Sequence, residues 1–184
     1  MKIVVAVTAA SGAIYARQLL DRLVANDEVE RVALIYSSNA RAVVEHEGVV
    51  MPCSPKIEEY DNDDMFSAPA SGSARWDAMV VVPSSVGTIG RVASGVSQSL
   101  IERAADVMLK ERRRLIFVVR ETPYSLIHLR NMTTLTEAGA VILPATPSFY
   151  SHPSDIEALC QTVTERVEAL LVLEGKRYEW GERS

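Results

Sequence analysis

The stretch KIVVAV (residues 2–7), followed by TAASGA (residues 8–13), decides how the rest of the chain folds. The first six residues form an apolar, mostly β-branched run that is typical of a strand, and the next six are small or polar. From Ile14 to Leu23 apolar residues recur at helical spacing. The chain therefore opens with a strand, a tight turn and an amphipathic helix.

The turn at residues 8–13 is suited to bind an anion or a polar ring. The first backbone N–H groups of the following helix have no intrahelical partner and point, with the positive end of the helix dipole, above the strand. Ser11 offers a hydroxyl, and its small neighbours let a ligand approach the backbone. The same pattern also fits a well-capped turn without a ligand, and the turn alone leaves both interpretations open.

Two common nucleotide-binding fingerprints are absent from this turn. Gly12 is its only glycine where G-x-G-x-x-G needs three, and no Walker sequence ending in G-K-[ST] is found. The second apolar run, residues 32–36, is followed by Ser37 and Ser38 and not by the acid that holds a ribose 2′-hydroxyl. The sequence favours a mononucleotide such as FMN over a nicotinamide dinucleotide.

Composition and charge exclude several classes of protein. A chain of 184 residues with 48% hydrophobic and 23% charged content is typical of one globular domain. The net charge of -5 argues against a nucleic-acid-binding surface. Cys53 and Cys160 match no metal-ligand spacing, and neither do the three histidines, so we expect free thiols and no metal. Without a secretory leader or a long apolar run, we expect a cytoplasmic protein with no membrane partner.

Helices and strands alternate along the remaining chain. Further strands are predicted at residues 78–82, 115–119 and 140–143, and further helices at 39–46, 98–113, 125–138 and 155–173. Unbroken apolar strands are typical of a parallel sheet that is covered on both faces. We therefore predict an α/β fold with a doubly wound, mostly parallel open sheet, a Rossmann-like three-layer sandwich. Residues 51–74 lack periodicity, and we interpret them as a loop over a ligand or a neighbouring subunit.

Polar residues follow two more of the predicted strands. The turn PSSVGT (residues 83–88) is rich in hydroxyls and, like the first turn, suits a phosphate or the polar edge of a ring. Arg120 and Glu121 directly follow a buried strand, where a charged pair is costly unless it is used. Glu47 lies near a helix C-terminus, where a carboxylate opposes the helix dipole. It is either functional or a solvated surface acid.

Several segments resemble the flavin prenyltransferase family, the UbiX-type enzymes once described as aromatic acid decarboxylase flavoproteins. They are LIERAADV (100–107), LKERR (109–113), VRETP (119–123), IHL (127–129), NM (131–132), GAVILP (139–144) and FY (149–150). They follow the family's order over almost the whole chain. The first turn departs from the family's T-G-A-S-G because Ala9 replaces the glycine, and Met65 lies near a position where some members carry an aromatic residue.

The resemblance implies one flavin-binding α/β domain over residues 1–184, with a tail at 174–184 that packs over the site or a neighbouring subunit. The family joins the dimethylallyl group of dimethylallyl monophosphate to N5 and C6 of reduced FMN. The prenylated FMN then serves a UbiD-type decarboxylase. The implied cofactor is therefore FMN, reduced and used as co-substrate without a metal, and the implied assembly is a homo-oligomer, specifically a dodecamer.

The resemblance also implies roles for individual residues. FMN would be held by Ala9, Ala10, Ser11, Ser37, Ser85, Val86, Gly87, Thr88, Arg103 and Arg120. The prenyl phosphate pocket would be formed by Lys110, Arg120, Tyr150, Arg166 and Trp180. The catalytic positions would be Ser11, Glu47, Lys110 and Glu121.

These roles agree with the chemistry of an allylic phosphate. Fixed cations neutralise the departing phosphate, Glu121 donates a proton to it, and aromatic faces shield the allylic cation. Either Glu121 or the released phosphate removes the last proton, and the donor is the monophosphate or the pyrophosphate. The alternatives are an FMN-dependent decarboxylase of the cysteine-decarboxylating flavoprotein type, or a flavin carrier without activity.

Overall fold

Six parallel strands form one sheet in the computed structural model, which describes residues 1–175. The strands are β1 (Lys2–Val7), β2 (Arg31–Tyr36), β3 (Ile57–Tyr60), β4 (Ala78–Ser84), β5 (Arg114–Val119) and β6 (Val141–Pro144). Their order in the sheet is β3-β2-β1-β4-β5-β6, and every neighbouring pair is parallel. The chain thus adds β2 and β3 on one side of β1 and then places β4, β5 and β6 on the other side. This reversal places a topological switch point between the carboxyl ends of β1 and β4.

Helices cover both faces of the sheet. They are α1 (Ala13–Ala25), α2 (Ala40–His46), α3 (Val86–Ala93), α4 (Leu100–Lys110), α5 (Leu126–Glu137) and α6 (Ile156–Leu171), with short 3₁₀ helices at Ala68–Ala70 and Gly72–Ala74. Ile3 and Val5 of β1 pack with α1 and α6, whereas Val4 and Ala6 pack with α3, α4 and α5. The predicted doubly wound three-layer sandwich is confirmed.

The central strands are apolar because they are covered on both sides. All seven residues of β4 are buried, and so are five of the six residues of β1. A strand with two buried faces has no place for the polar alternation of a half-exposed strand. For this reason the strands at the centre of the sheet were predictable from unbroken apolar runs.

One prediction about the connections is wrong. Residues 51–74, expected to be irregular, contain β3, which pairs with β2 from Val32 opposite Ile57 to Ile35 opposite Tyr60. The sequence IEEY of β3 carries two glutamates, since this edge strand is largely exposed. Glu58 pairs with Arg31 and Glu59 with Arg41. An edge strand held by backbone pairing and surface charges gives no apolar signal.

All four helices predicted after α1 are shorter than the sequence suggested, and α4 and α6 differ most. Ser99 caps α4 through a capping box with Glu102, and Arg112, with φ of 55°, follows the end of the helix. Val172, with φ of 61°, ends α6. The predicted packing of the tail, including Trp180, concerns residues beyond Gly175 and lies outside the described residues. No helix within residues 1–175 has the length and hydropathy needed to cross a bilayer.

Candidate functional site

The two predicted turns meet at the switch point and are joined by one buried side chain. Thr8 is 2% exposed. Its Oγ1 donates to the Pro83 carbonyl at 2.8 Å and accepts from the Ser85 backbone N–H at 2.8 Å. The Arg120 backbone N–H donates to the Ser84 carbonyl at 3.1 Å, which adds the end of β5. Sequence reasoning did not single out Thr8, which fixes the first turn against the second.

The first turn depends on a glycine at the start of α1. Gly12 has φ of 110°, a left-handed conformation that side chains disfavour. A Cβ at this position would lie 2.9 Å from Cδ2 of Tyr15. Gly12 is therefore required both by its backbone conformation and by the ring packed beneath it.

Glu47 reaches from the end of α2 to the start of α1. Its carboxylate accepts from the Gly12 N–H at 2.9 Å and from the Ala13 N–H at 2.7 Å. The Ser11 hydroxyl also hydrogen-bonds to Glu47. The carboxylate that looked misplaced at the end of its own helix thus neutralises the positive end of another.

The environment of Glu47 favours its ionised form. Partial burial is the largest influence and acts to raise the pKa of Glu47. The hydrogen bonds from Ser11 and from the backbone N–H groups of Gly12 and Ala13, together with the charge of Arg120, outweigh it and lower the pKa overall. At neutral pH Glu47 is therefore a charged acceptor that orients Ser11 and the turn.

The second turn starts α3 with two hydroxyls and a cation. Ser85 caps the helix, since its Oγ accepts from the Thr88 N–H at 3.3 Å and lies 3.1 Å from the Thr88 Oγ1. Nη2 of Arg91 donates to Oγ1 of Thr88 at 3.3 Å. The exposed Gly87 leaves the helix start accessible. This turn presents hydroxyls and a guanidinium that is ion-paired with Glu102.

A cavity of about 230 Å³ lies between this turn and the end of β2. Its lining residues are Ser37, Ser38, Asn62, Thr88, Arg91, Gln98, Ser99, Ile101 and Glu102. The volume is below that of a typical ligand pocket, so it fits one end of a nucleotide and not the whole molecule. Ser37 and Thr88 were predicted for this site. Asn62, Arg91 and Glu102 were not, although Ser99 and Glu102 carry the capping-box spacing.

Arg120 lies within electrostatic reach of the first turn. It contributes to lowering the pKa of Glu47 and opposes the rise in the pKa of Tyr15. Burial, with a contribution from Cys160, raises the pKa of Tyr15 to about 12. Glu121 accepts from the Thr122 N–H at 2.9 Å, beside Arg120. The crevice therefore has a cation and a carboxylate at its third strand.

The carboxyl edge of the sheet collects most of the predicted FMN-binding residues. They are Ala9, Ala10, Ser11, Ser37, Ser85, Val86, Gly87, Thr88 and Arg120, all in the segments that follow β1, β2, β4 and β5. Arg103 lies on α4, where its guanidinium donates to the Ala70 carbonyl at 3.1 Å and to Asp106 at 2.7 Å. It does not line the cavity, and its neighbour Glu102 does.

The predicted phosphate-binding residues lie on separate elements, with Lys110 toward the opposite edge of the sheet. Lys110 ends α4, which runs from the carboxyl to the amino edge of the sheet, and pairs with Glu111. Tyr150 is exposed between β6 and α6. Arg166 is exposed on α6, about 15 Å along the helix from its first residue. Across residues 1–175, no three His, Cys, Asp or Glu side chains are grouped so as to hold a metal ion.

Comparisons with known proteins agree with this geometry. The Flavoprotein family profile matches residues 1–169. The flavin prenyltransferase UbiX of Methanocaldococcus jannaschii is 42% identical, over 98% of this chain and 99% of that protein. The structure of AnUbiX (PadA1) in complex with FMN and dimethylallyl pyrophosphate is 39% identical with a TM-score of 0.86, covering 98% of each chain.

A third relative is a dodecamer. The dodecameric FMN-dependent UbiX-like decarboxylase from Escherichia coli O157:H7 has a TM-score of 0.89 and 34% identity, over 97% of this chain and all of that one. These relatives cover nearly the full length and share more than a third of their residues with this chain. The chain belongs to the flavoprotein family, and within it to the UbiX-type flavin prenyltransferases.

Proposed function

We propose that the crevice binds reduced FMN, with the ring against the first turn and the phosphate at the start of α3. The observation that carries this orientation is the carboxylate of Glu47 on the N–H groups of Gly12 and Ala13. An anion at the start of α1 would lie against that carboxylate. The start of α3 offers the hydroxyls of Ser85 and Thr88 instead. The FMN named in the AnUbiX complex supports this choice of ligand.

The proposed reaction transfers the dimethylallyl group of dimethylallyl monophosphate to N5 and C6 of the flavin. N5 of reduced FMN displaces the phosphate and loses its proton. C6 then bonds to the far end of the allyl group as the allyl double bond takes up a proton, and C6 gives its own proton to Glu121 or to the released phosphate. Arg120 neutralises charge on the departing phosphate, and Glu121 beside it gives a proton to the leaving oxygen. The backbone N–H groups of Gly12 and Ala13 hold the Glu47 carboxylate beside Ser11 at the first turn. The proposed consumer of the product is a UbiD-type decarboxylase.

One of the remaining cations, Lys110, requires another copy of the chain. Lys110 lies at the edge of the sheet opposite Arg120, so a site with both residues includes Lys110 from a neighbouring protomer. The carboxyl edge carries exposed apolar side chains, among them Leu126, Ile127, Phe149 and Tyr150. Clustered exposed apolar residues mark interaction surfaces. We propose a homo-oligomer of twelve copies, and the dodecamer named for the relative from E. coli O157:H7 supports that number.

Mass spectrometry of the extracted flavin tests the reaction. The purified protein is reduced anaerobically with FMN and dimethylallyl monophosphate, and in a parallel sample with the pyrophosphate. We expect FMN heavier by one five-carbon unit, also in the presence of a chelator. Unchanged FMN with both donors would contradict the proposal. Thiol-dependent release of carbon dioxide without prenylation would indicate the cysteine-decarboxylating type of activity.

A further inference from the structure

Arg91 lies in the last turn of α3, and the proposed roles above do not use its guanidinium, which reaches back to the start of the helix. Its Nε donates to the Glu102 carboxylate, and its Nη2 donates to the Thr88 hydroxyl at 3.3 Å. A Cβ on Gly87 would lie 3.4 Å from its Nη1. The guanidinium therefore lies across the first turn of α3 and along the wall of the cavity that Ser37 and Thr88 share.

The partner of Arg91 is held rigidly below it. The Glu102 side chain is 4% exposed, whereas that of Arg91 is 47% exposed. Glu102 also accepts from the Gln98 N–H at 2.9 Å and the Ser99 N–H at 3.2 Å, at the start of α4. These N–H groups and the positive end of α4 stabilise the carboxylate independently of Arg91. The N–H groups of Gln98 and Ser99 therefore partly compensate the negative charge of Glu102, and the Arg91 side chain lines the cavity.

The outer wall of the cavity is also fixed to α4. The Asn62 carbonyl accepts from the Leu100 N–H at 2.7 Å, and its Oδ1 accepts from the Ile101 N–H at 3.2 Å. The start of α4 is thus filled by Asn62, Ser99 and Glu102. The cavity narrows to a polar space bounded by Ser37, Thr88 and the guanidinium of Arg91.

We infer that Arg91 binds the phosphate of the flavin nucleotide and makes the site select FMN over riboflavin, with Glu102 as the positioning residue that holds Arg91. This inference rests on the proposed FMN site and adds to it the source of its phosphate selectivity. An arginine offers several donors in one plane, which matches a phosphate group. Riboflavin has the same ring and side chain without the phosphate, so it would make no use of this cation.

Paired titrations test the selectivity. FMN and riboflavin binding is measured by quenching of flavin fluorescence in the full-length wild type, R91Q and R31Q. Arg31 is the matched control, because it is also an ion-paired arginine, 44% exposed, at the amino end of β2. We expect R91Q to weaken FMN binding about tenfold or more while riboflavin changes by less than about twofold, since a charged hydrogen bond is lost. R31Q should change neither, and R91K should recover part of the loss.

The variant E102Q separates positioning from structural support. We expect it to lower the ratio of FMN to riboflavin affinity, less than R91Q does, while circular dichroism shows an intact fold. Equal weakening of both flavins in R91Q, or no change in either, would overturn the inference. So would a wild type that binds FMN no more tightly than riboflavin. A wild type that prefers FMN but does not prenylate it would overturn the proposed reaction and leave the role of Arg91 standing.

Discussion

The turns after β1 and β4 are alike in sequence and differ in the charged side chain that reaches them. Both are short, small and hydroxyl-bearing, and both start a helix after a buried strand. The first is filled by the carboxylate of Glu47, which comes from α2. The second carries the guanidinium of Arg91 from its own helix. Which ligand a βα turn prefers therefore depends on the charged side chain that reaches the turn. The sequence of the turn alone does not predict that preference.

The largest expected difference between the two turns concerns their glycines. Gly12→Ala forces a side chain onto a residue with φ of 110° and into the Tyr15 ring, so we expect a loss of about 3 kcal/mol in the free energy of unfolding. Gly87→Ala is the matched control, since Gly87 has no positive φ and its Cβ would lie at ordinary contact distances, 3.4 Å from Nη1 of Arg91 and 4.0 Å from Oγ of Ser85. Urea unfolding measures both. Equal losses would show that the two turns have the same backbone requirement.

A smaller effect is expected from removing the charge at the first turn. Glu47→Gln replaces one carboxylate oxygen by an NH2 group, which cannot accept from a backbone N–H, and removes the charge. We expect the free energy of unfolding to fall by about 1 kcal/mol. Glu45→Gln, on the same helix but exposed, is the control and should be nearly neutral. Both are compared with the wild type in urea. If Glu47→Gln were as stable as the wild type, the carboxylate would not stabilise α1.

The smallest expected effect is the pH dependence of that difference. The pKa of Glu47 is lower in the folded chain than its ordinary value of 4.5, so the unfolded state binds more protons in this range. The contribution of Glu47 is complete above pH 4.5 and is lost as the pH falls through the lowered pKa. The stability gap between wild type and Glu47→Gln should therefore close on acidification. A gap that widened in acid would contradict the assignment.

The sequence predicted the centre of the molecule better than its borders. Runs such as MVVV in β4 are buried on both faces, and an apolar pattern records exactly that environment. The β3 strand is held by backbone pairing at an exposed edge, so its residues Glu58 and Glu59 carry no apolar pattern. Local apolar patterns predict burial. Backbone pairing at an exposed sheet edge produces no such pattern and is not predicted by it.

The position of a candidate site residue was predictable where that residue belongs to one of the turns that follow a strand. Ser11, Ser85 and Thr88 lie where the strand-turn-helix pattern placed them. Arg91 was missed because its position in α3 resembles that of an ordinary surface arginine, and its contact with Glu102 of α4 depends on the packing of two helices. Lys110 is the reverse case. The family resemblance assigns it to the site, while the topology of one chain places it at the opposite edge.

The charges on β3 have a consequence for how copies of the chain assemble. An exposed edge strand offers unpaired backbone groups on which a strand of another molecule can add. Here Arg31 and Arg41 pair with the two glutamates of β3, so such an addition would have to desolvate these ion pairs. Continuous sheets across protomers and fibril-like growth are disfavoured at this edge. The exposed apolar side chains around Leu126 and Phe149 lie away from these charges, so the association proposed for that surface does not compete with them.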